Sequence, residues 1–182
     1  MGSEMCIRDR LTAASGPGTL NLITGVYTAS IDCSPMVILG GASPVHEISR
    51  DAFQEVDQVG IMQPLCKYWH RPTMASRYPE IVSTAYRQAQ SGRPGPTYID
   101  CGGDVLYEEV EESAVFPPTR AETRARPAAE SAAVDKAMGL ISGAERPLIF
   151  AGGGAFFSGA ASELERFVDT TNIPFYTAPM SR

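Results

Sequence analysis

The chain has 182 residues, 43% of them hydrophobic and 20% charged, with a net charge of −6 at pH 7. That composition belongs to an ordinary soluble globular protein, and with no basic patch to offset the negative charge it argues against a nucleic-acid partner. No apolar stretch approaches the roughly 20 residues that a membrane span needs, so a cytoplasmic protein without membrane attachment is expected.

Cys6, Cys33, Cys66 and Cys101 are far apart and form no C-x-x-C pair. Three of them sit at or beside apolar runs, so reduced, packed thiols are expected rather than disulfides or a metal site. Residues Met1 to Arg10 carry no period and no turn logic. An N-terminal Met-Gly with a hydroxyl six residues in would suggest myristoylation, but Cys6 and Ile7 stand there. The segment also lacks the apolar centre of a signal peptide. It reads as foreign or artefactual sequence joined to a truncated domain.

From Leu11 onward helix-like and strand-like pieces alternate. Ser15-Gly16-Pro17-Gly18 is a rigid, side-chain-poor corner where backbone can approach a flat ligand closely. Asn21 falls near the start of a helical segment that runs to Asp32, with Leu22, Ile23, Val26 and Tyr27 at helical spacing. Met36 to Leu39 is a short apolar run ending at Gly40-Gly41, the pattern of a buried parallel strand. Ser49 to Gln58 reads as a short helix with Phe53 and Val56 on one side, and Leu65 to Trp69 as a strand. Tyr78 to Gln90 places Ile81, Val82, Ala85, Tyr86 and Ala89 on one helical face, with Pro79 allowed in the first turn. Gly92-Arg93-Pro94-Gly95-Pro96 stops that helix, and Thr97 to Asp100 is the next strand.

Residues 108–127 combine Glu108, Glu109, Glu111 and Glu112 with Pro117-Pro118 and three arginines, which marks a charged surface linker. A second α/β pattern begins near Ala128. Val134, Ala137, Met138 and Ile141 form one helical face, and Pro147 to Phe150 is a strand running into Gly152-Gly153-Gly154. A helix over Ser162 to Thr171 has Leu164, Phe167 and Val168 inward, and Phe175 to Thr177 is a further strand. The expected fold class is α/β, with open parallel sheets flanked by helices in two incomplete Rossmann-like domains: 11–107 and 128–182.

Taken in order, several motifs resemble the thiamine-diphosphate-dependent enzymes of the acetolactate synthase and 2-hydroxyacyl-CoA lyase type. They are Ser15-Gly16-Pro17-Gly18 with Asn21; Asp32 to Gly41; and Phe53-Gln54-Glu55 with Asp57-Gln58. Lys67, Gly92 to Pro96 ahead of Tyr98-Ile99-Asp100, Pro147 to Gly154, Leu164 to Phe167 and Ile173-Pro174 complete the series. The resemblance covers Leu11 to Arg182, as the end of a pyrimidine-binding domain and the start of a central domain. It implies that Gly16, Pro17, Gly18 and Asn21 border the cofactor's aminopyrimidine ring. It also implies that Phe53, Gln54 and Lys67 stand on the substrate side, facing a dimer partner. The family's ring-protonating glutamate is expected upstream of this chain and its Mg²⁺ and diphosphate site downstream, so no catalytic or metal-binding residue is assigned here.

Gly152, Gly153 and Gly154 could cradle a nucleotide; the same segment borders FAD in acetolactate synthases and ADP in oxalyl-CoA decarboxylase, but G-x-G-x-x-G spacing is not met. His46 and His70 are not spaced as a metal or catalytic pair. The implied function is acetolactate synthase-like carboligation or 2-keto acid decarboxylation on a 2-keto acid or 2-hydroxyacyl substrate, by a homodimer or homotetramer in the full-length protein. The chain alone is expected to be inactive and, with open sheet edges, prone to aggregate. Two alternatives stay open: a non-catalytic nucleotide-binding or interaction module, and a nicotinamide-dependent oxidoreductase.

Overall fold

In the computed structural model of the chain the described residues are 10–115, 118 and 128–178. Expectations for residues 1–9, and for most of the charged stretch after Val115, lie outside them. The chain divides into two compact units, Met1–Arg124 and Ala125–Arg182.

The first unit is built on four parallel strands: β1 (Arg10–Ala13), β2 (Met36–Ala42), β3 (Tyr68–His70) and β4 (Pro96–Gly102), in the order β1-β2-β4-β3. Its helices are α1 (Pro17–Leu20), α2 (Ile23–Ile31), α3 (Gln58–Met62), α4 (Tyr78–Gln90) and α5 (Gly103–Leu106). The central strands are apolar because both sheet faces are covered. On one face Val37, Ile99 and Cys101 pack against Ile81 and Ala85 of α4. On the other, Ile38 and Tyr98 pack against Val26 of α2 and Met62 of α3. The α4 stripe is the amphipathic face expected from the sequence, except that Val82 at its margin is exposed.

Three expectations are corrected. The helix drawn from Asn21 to Asp32 runs from Ile23 to Ile31, and Asn21 instead closes a separate turn of helix, Pro17–Leu20, that starts at the Gly16 corner. Strand β2 does not end at Leu39 but continues through Gly40-Gly41 to Ala42. Those glycines are spacers: a Cβ on Gly40 would lie 2.4 Å from the Tyr98 hydroxyl, and one on Gly41 would lie 3.0 Å from the Ala13 carbonyl oxygen.

The third concerns Ser49 to Gln58, which is a folded loop as far as Asp57, with Gln58 only opening α3. Ser49, Asp51 and Gln54 have φ of 63°, 56° and 59°, which a right-handed helix cannot hold. The Glu55 carboxylate fixes this conformation by accepting from the N–H groups of Ser49 (2.5 Å) and Ala52 (3.0 Å). Asp57 then caps α3 by accepting from Gly60 N–H at 3.0 Å.

The second unit holds β5 (Ile149–Ala151) and β6 (Phe175–Thr177), paired in parallel, with α6 (Ser131–Ser142), α7 (Gly153–Ser158) and α8 (Ala161–Thr171). Leu164, Phe167 and Val168 of α8 are half-buried, while Ala151 and Ile173 are buried. The apolar stripe of α6 exists as expected, yet Val134 and Met138 are exposed, as are Phe150, Phe175 and Tyr176 of the two strands. Both units are therefore α/β, with parallel strands accompanied by helices. Among the described residues no helix is long and apolar enough to cross a membrane.

Candidate functional site

Because all four strands of the first unit run in parallel, their carboxyl ends meet at one edge of the sheet, where open α/β sheets place their ligand sites. Four connections converge there: the Gly16 corner after β1, the Ser43 to Asp57 loop after β2, Arg71 after β3, and Gly103 with Asp104 after β4.

The corner is held from inside. Gly16 is buried, with φ +58°, and the space a Cβ would need is taken by the Gln54 carbonyl oxygen at 2.3 Å. Its N–H donates to Gln58 Oε1 at 2.5 Å. Gln58 is 1% exposed, and its Nε2 lies 2.9 Å from the Gly41 carbonyl, 3.1 Å from the Tyr98 hydroxyl and 2.7 Å from Asp100 Oδ1. Tyr98 donates to the same Asp100 oxygen at 2.5 Å, and Arg71 Nε pairs with the other. Burial, and then the Asp100 charge, raise the Tyr98 phenol far above its ordinary pKa, so it serves as a neutral donor. Thr19, also buried, donates from its hydroxyl to the Ala14 carbonyl at 3.1 Å and secures the other side of the turn.

The outer side of the corner is open. Pro17 and Asn21 are exposed, as are Phe53 (87%) and Gln54 on the adjoining loop. The Ser15 hydroxyl lies 3.4 Å from Gln54 Oε1, linking corner and loop. Beside them, Ser49, Asp51, Gln54, Glu55 and Asp57 line a depression of about 430 Å³. A surface poor in side chains, rigid behind and open in front, fits one wall of a site for a flat ring.

The structure brings Gly16, Pro17, Gly18, Asn21, Phe53 and Gln54 to this edge, but it does not bring Lys67 there. Lys67 N–H bonds the carbonyl of Pro96, the first residue of β4, at the opposite end of the sheet. Its Nζ donates to the carbonyls of Gln88 (2.6 Å) and Ser91 (2.5 Å), closing the carboxyl end of α4, and burial lowers its pKa. A strand of seven residues separates the two edges by about 20 Å.

His46 is exposed, with Nδ1 3.1 Å from Asp104 Oδ2, whereas His70 stacks on Tyr68. Burial acts to raise the Asp104 pKa but is outweighed by hydrogen bonds, chiefly from Val45 N–H, so the net shift is downward. No group of three metal-ligating side chains occurs among the described residues. Cys33, Cys66 and Cys101 are free thiols, Cys101 buried and the other two half-buried.

In the second unit Gly152 ends the β5 connection and caps α7, of which Gly153 and Gly154 form the first turn. A Cβ on Gly152 or Gly154 would meet nothing within 4 Å. The unit's own packing therefore does not require glycine at those two positions.

Sequence reasoning missed Gln58, Asp100 and Arg71 as the polar support of the corner. For Asp100 a signal was present as a period of two: Tyr98 and Asp100 are polar groups on one face of a strand whose seven residues are all buried. Such groups demand partners.

Residues 11–61 match the family model "Thiamine pyrophosphate enzyme, N-terminal TPP binding domain", and residues 134–182 match "Thiamine pyrophosphate enzyme, central domain". The chain is 40% identical over 171 residues to a "Probable acetolactate synthase large subunit" of Methanococcus aeolicus, covering 92% of this chain and 28% of that protein. It is 36% identical over 166 residues to the "Acetolactate synthase isozyme 1 large subunit" of Escherichia coli strain K12, covering 89% and 28%. It is 34% identical over 178 residues to a "2-hydroxyacyl-CoA lyase" of Arabidopsis thaliana, covering 94% and 31%. The chain thus spans about three tenths of the length of these relatives. With two domain models of one family matched in order, and the corner lying within the first, the chain belongs to the thiamine pyrophosphate enzymes.

Proposed function

We propose that this chain is part of an enzyme that uses thiamine diphosphate with Mg²⁺ to make or cleave C–C bonds next to a carbonyl. The observation that carries the reading is the corner itself, pinned from behind by Gln58 and open in front at Pro17 and Asn21. When bound, the cofactor supplies a carbanion nucleophile and an electron sink for the bond change. The chain's own part is positional. Gly16, Pro17 and Gly18 offer backbone and the apolar Pro17 ring to the aminopyrimidine, and Asn21 offers a carboxamide at its edge. Phe53 and Gln54, on a loop whose fold is fixed by Glu55, border the substrate end and shield it from water.

In this reading Lys67 serves helix α4 and is withdrawn from the substrate side, since both its carbonyl partners lie at the far edge of the sheet. Acetolactate synthase-like carboligation leads over 2-keto acid decarboxylation, on the names of the relatives at 40% and 36% identity. The whole enzyme would be a cytoplasmic homodimer or homotetramer acting on a 2-keto acid or 2-hydroxyacyl compound. FAD or ADP at Gly152 to Gly154 is a separable part of the proposal, supported by the open space over Gly152 and Gly154.

The test is calorimetry of the longer protein carrying this segment, with thiamine diphosphate and Mg²⁺, followed by product analysis with pyruvate. Saturable cofactor binding that is weakened by Asn21→Ala, with release of CO2 and a C–C ligated product, is expected. A protein that binds no thiamine diphosphate at millimolar concentration would overturn the reading. Titration with FAD and ADP decides the nucleotide site independently.

A further inference from the structure

We propose that Gln58 is a positioning residue, whose carboxamide sets the height and tilt of the Gly16 peptide and so the placement of Pro17 and Asn21 on the open side. The role rests on the reading of the corner as one wall of a thiamine diphosphate site, but the geometry stands by itself. Gly16 has no side chain, and its carbonyl is engaged by Leu20 N–H at 3.0 Å in the turn that follows. Its N–H points inward to Gln58 Oε1.

The orientation of the carboxamide is decided by its other end. Nε2 faces three oxygens, of which the Gly41 carbonyl and the Asp100 carboxylate can only accept. A flipped amide would set oxygen against both and an NH2 against the Gly16 N–H. Oε1 is therefore obliged to face Gly16. Asp100 is in turn engaged by Arg71 and Tyr98, so the chain of contacts runs from a buried ion pair to one backbone N–H.

The titratable groups around Gln58 are Asp100 and Tyr98 of β4, which contact it, Arg71, which is linked to it through Asp100, and Asp57, the residue before it. Cys101 belongs to the core on the other sheet face. Gln58→Glu keeps the size and the acceptor toward Gly16. Protonated, the introduced carboxyl can also donate to Asp100, whereas in its ionised form it sets two carboxylates against each other. Gln58→Met keeps the volume and removes both functions.

Amide hydrogen exchange on this chain, with Val37 in the middle of the sheet as reference, reads the effect. In Gln58→Met, Gly16 exchange corrected for intrinsic rate should rise by about tenfold or more while Val37 holds. In Gln58→Glu, Gly16 should be released at about pH 8 and protected again near pH 5, with no such pH response in the parent. Unchanged Gly16 protection in Gln58→Met would overturn the proposal. So would equal loss at Gly16 and Val37 in both variants at every pH, which would make Gln58 a core residue and nothing more.

A second arm separates this role from the cofactor reading. In the longer enzyme, Gln58→Met should raise the thiamine diphosphate concentration for half-saturation by about tenfold while kcat at saturation falls far less. Selective release of Gly16 without any change in half-saturation would uphold the positioning role and overturn the assignment of the corner to the cofactor.

Discussion

Arg71 and Asp100 form an ion pair in which the carboxylate has no solvent exposure and the guanidinium side chain retains 26%. The pair is set by register: His70 lies opposite Ile99, so the residue after β3 comes level with Asp100 of β4. Tyr98 and Gln58 donate to the same carboxylate, which therefore carries a charge and the support of the corner together.

Removing Arg71 strands that carboxylate. Arg71→Met should destabilise the first unit by about 3–5 kcal/mol, the usual cost of leaving a buried charge unpaired. Asp100→Asn should cost less, because Arg71 can turn to solvent, and the double variant should recover part of the loss. Urea unfolding followed by Trp69 fluorescence measures all three. A loss under about 1 kcal/mol in Arg71→Met would mean that Asp100 does not depend on the pair.

Gly16→Ala meets two obstacles at once. A left-handed backbone costs a residue with a Cβ about 1–2 kcal/mol, and the new methyl would lie 2.3 Å from the Gln54 carbonyl oxygen. A loss of about 2 kcal/mol or more is expected, together with displacement of the Gln54 loop. Gly18→Ala is the control. Its φ is not left-handed and its Cβ would meet Ala14 Cβ at 3.1 Å, a contact a small shift relieves. Equal effects in denaturant melts would contradict the special status of Gly16.

Glu55 holds its loop through charge. Hydrogen bonds from the Ser49 and then the Ala52 N–H outweigh desolvation and keep its pKa below the ordinary carboxylate value. A folded pKa below the unfolded one means that the stabilisation is present above the unfolded value. It is lost as pH falls through the folded one. The Ser49 and Ala52 amides should therefore lose exchange protection in acid, below the usual carboxylate range. Glu55→Gln should lack that acid transition and show weaker protection at neutral pH. Retained pH dependence in Glu55→Gln would assign it to another group.

The thiols should separate by reactivity. Burial pushes the Cys66 thiol up to about 12 and raises that of Cys101, so neither supplies much thiolate at neutral pH. Cys33 and Cys66 are both half-buried, but the Cys33 sulfur receives Arg93 Nε–H at 2.9 Å. Native alkylation with iodoacetamide, read by mass spectrometry, should label Cys33 well before Cys66 and Cys101. Rapid labelling of Cys66 in the folded chain would contradict the desolvation of its thiol.

The boundaries of α4 were legible because Pro79, the apolar stripe and the Gly92 stop are local signals that agree with one another. The strands were legible less sharply, as short apolar runs between turns: the one expected over Leu65 to Trp69 is Tyr68–His70, and the one expected over Pro147 to Phe150 is Ile149–Ala151. The Ser49 to Gln58 segment misled because Phe53 and Val56 happen to fit a helical spacing. The decisive interaction, the Glu55 carboxylate reaching back to Ser49 N–H, leaves no periodic trace. Phe53 is accordingly exposed and not packed.

The sequence by itself determined the alternation of helix and strand, the corner at Gly16 to Gly18 and the family, because each is written in residues close together along the chain. Only the tertiary structure decided which residues share an edge. Parallel strands carry positions near in sequence to opposite ends of the sheet, so Lys67 and Arg71, four residues apart, serve different edges. They also bring Gly16, Gln58 and Asp100 into one hydrogen-bonded group across 84 residues of chain, a relation set by strand order and register.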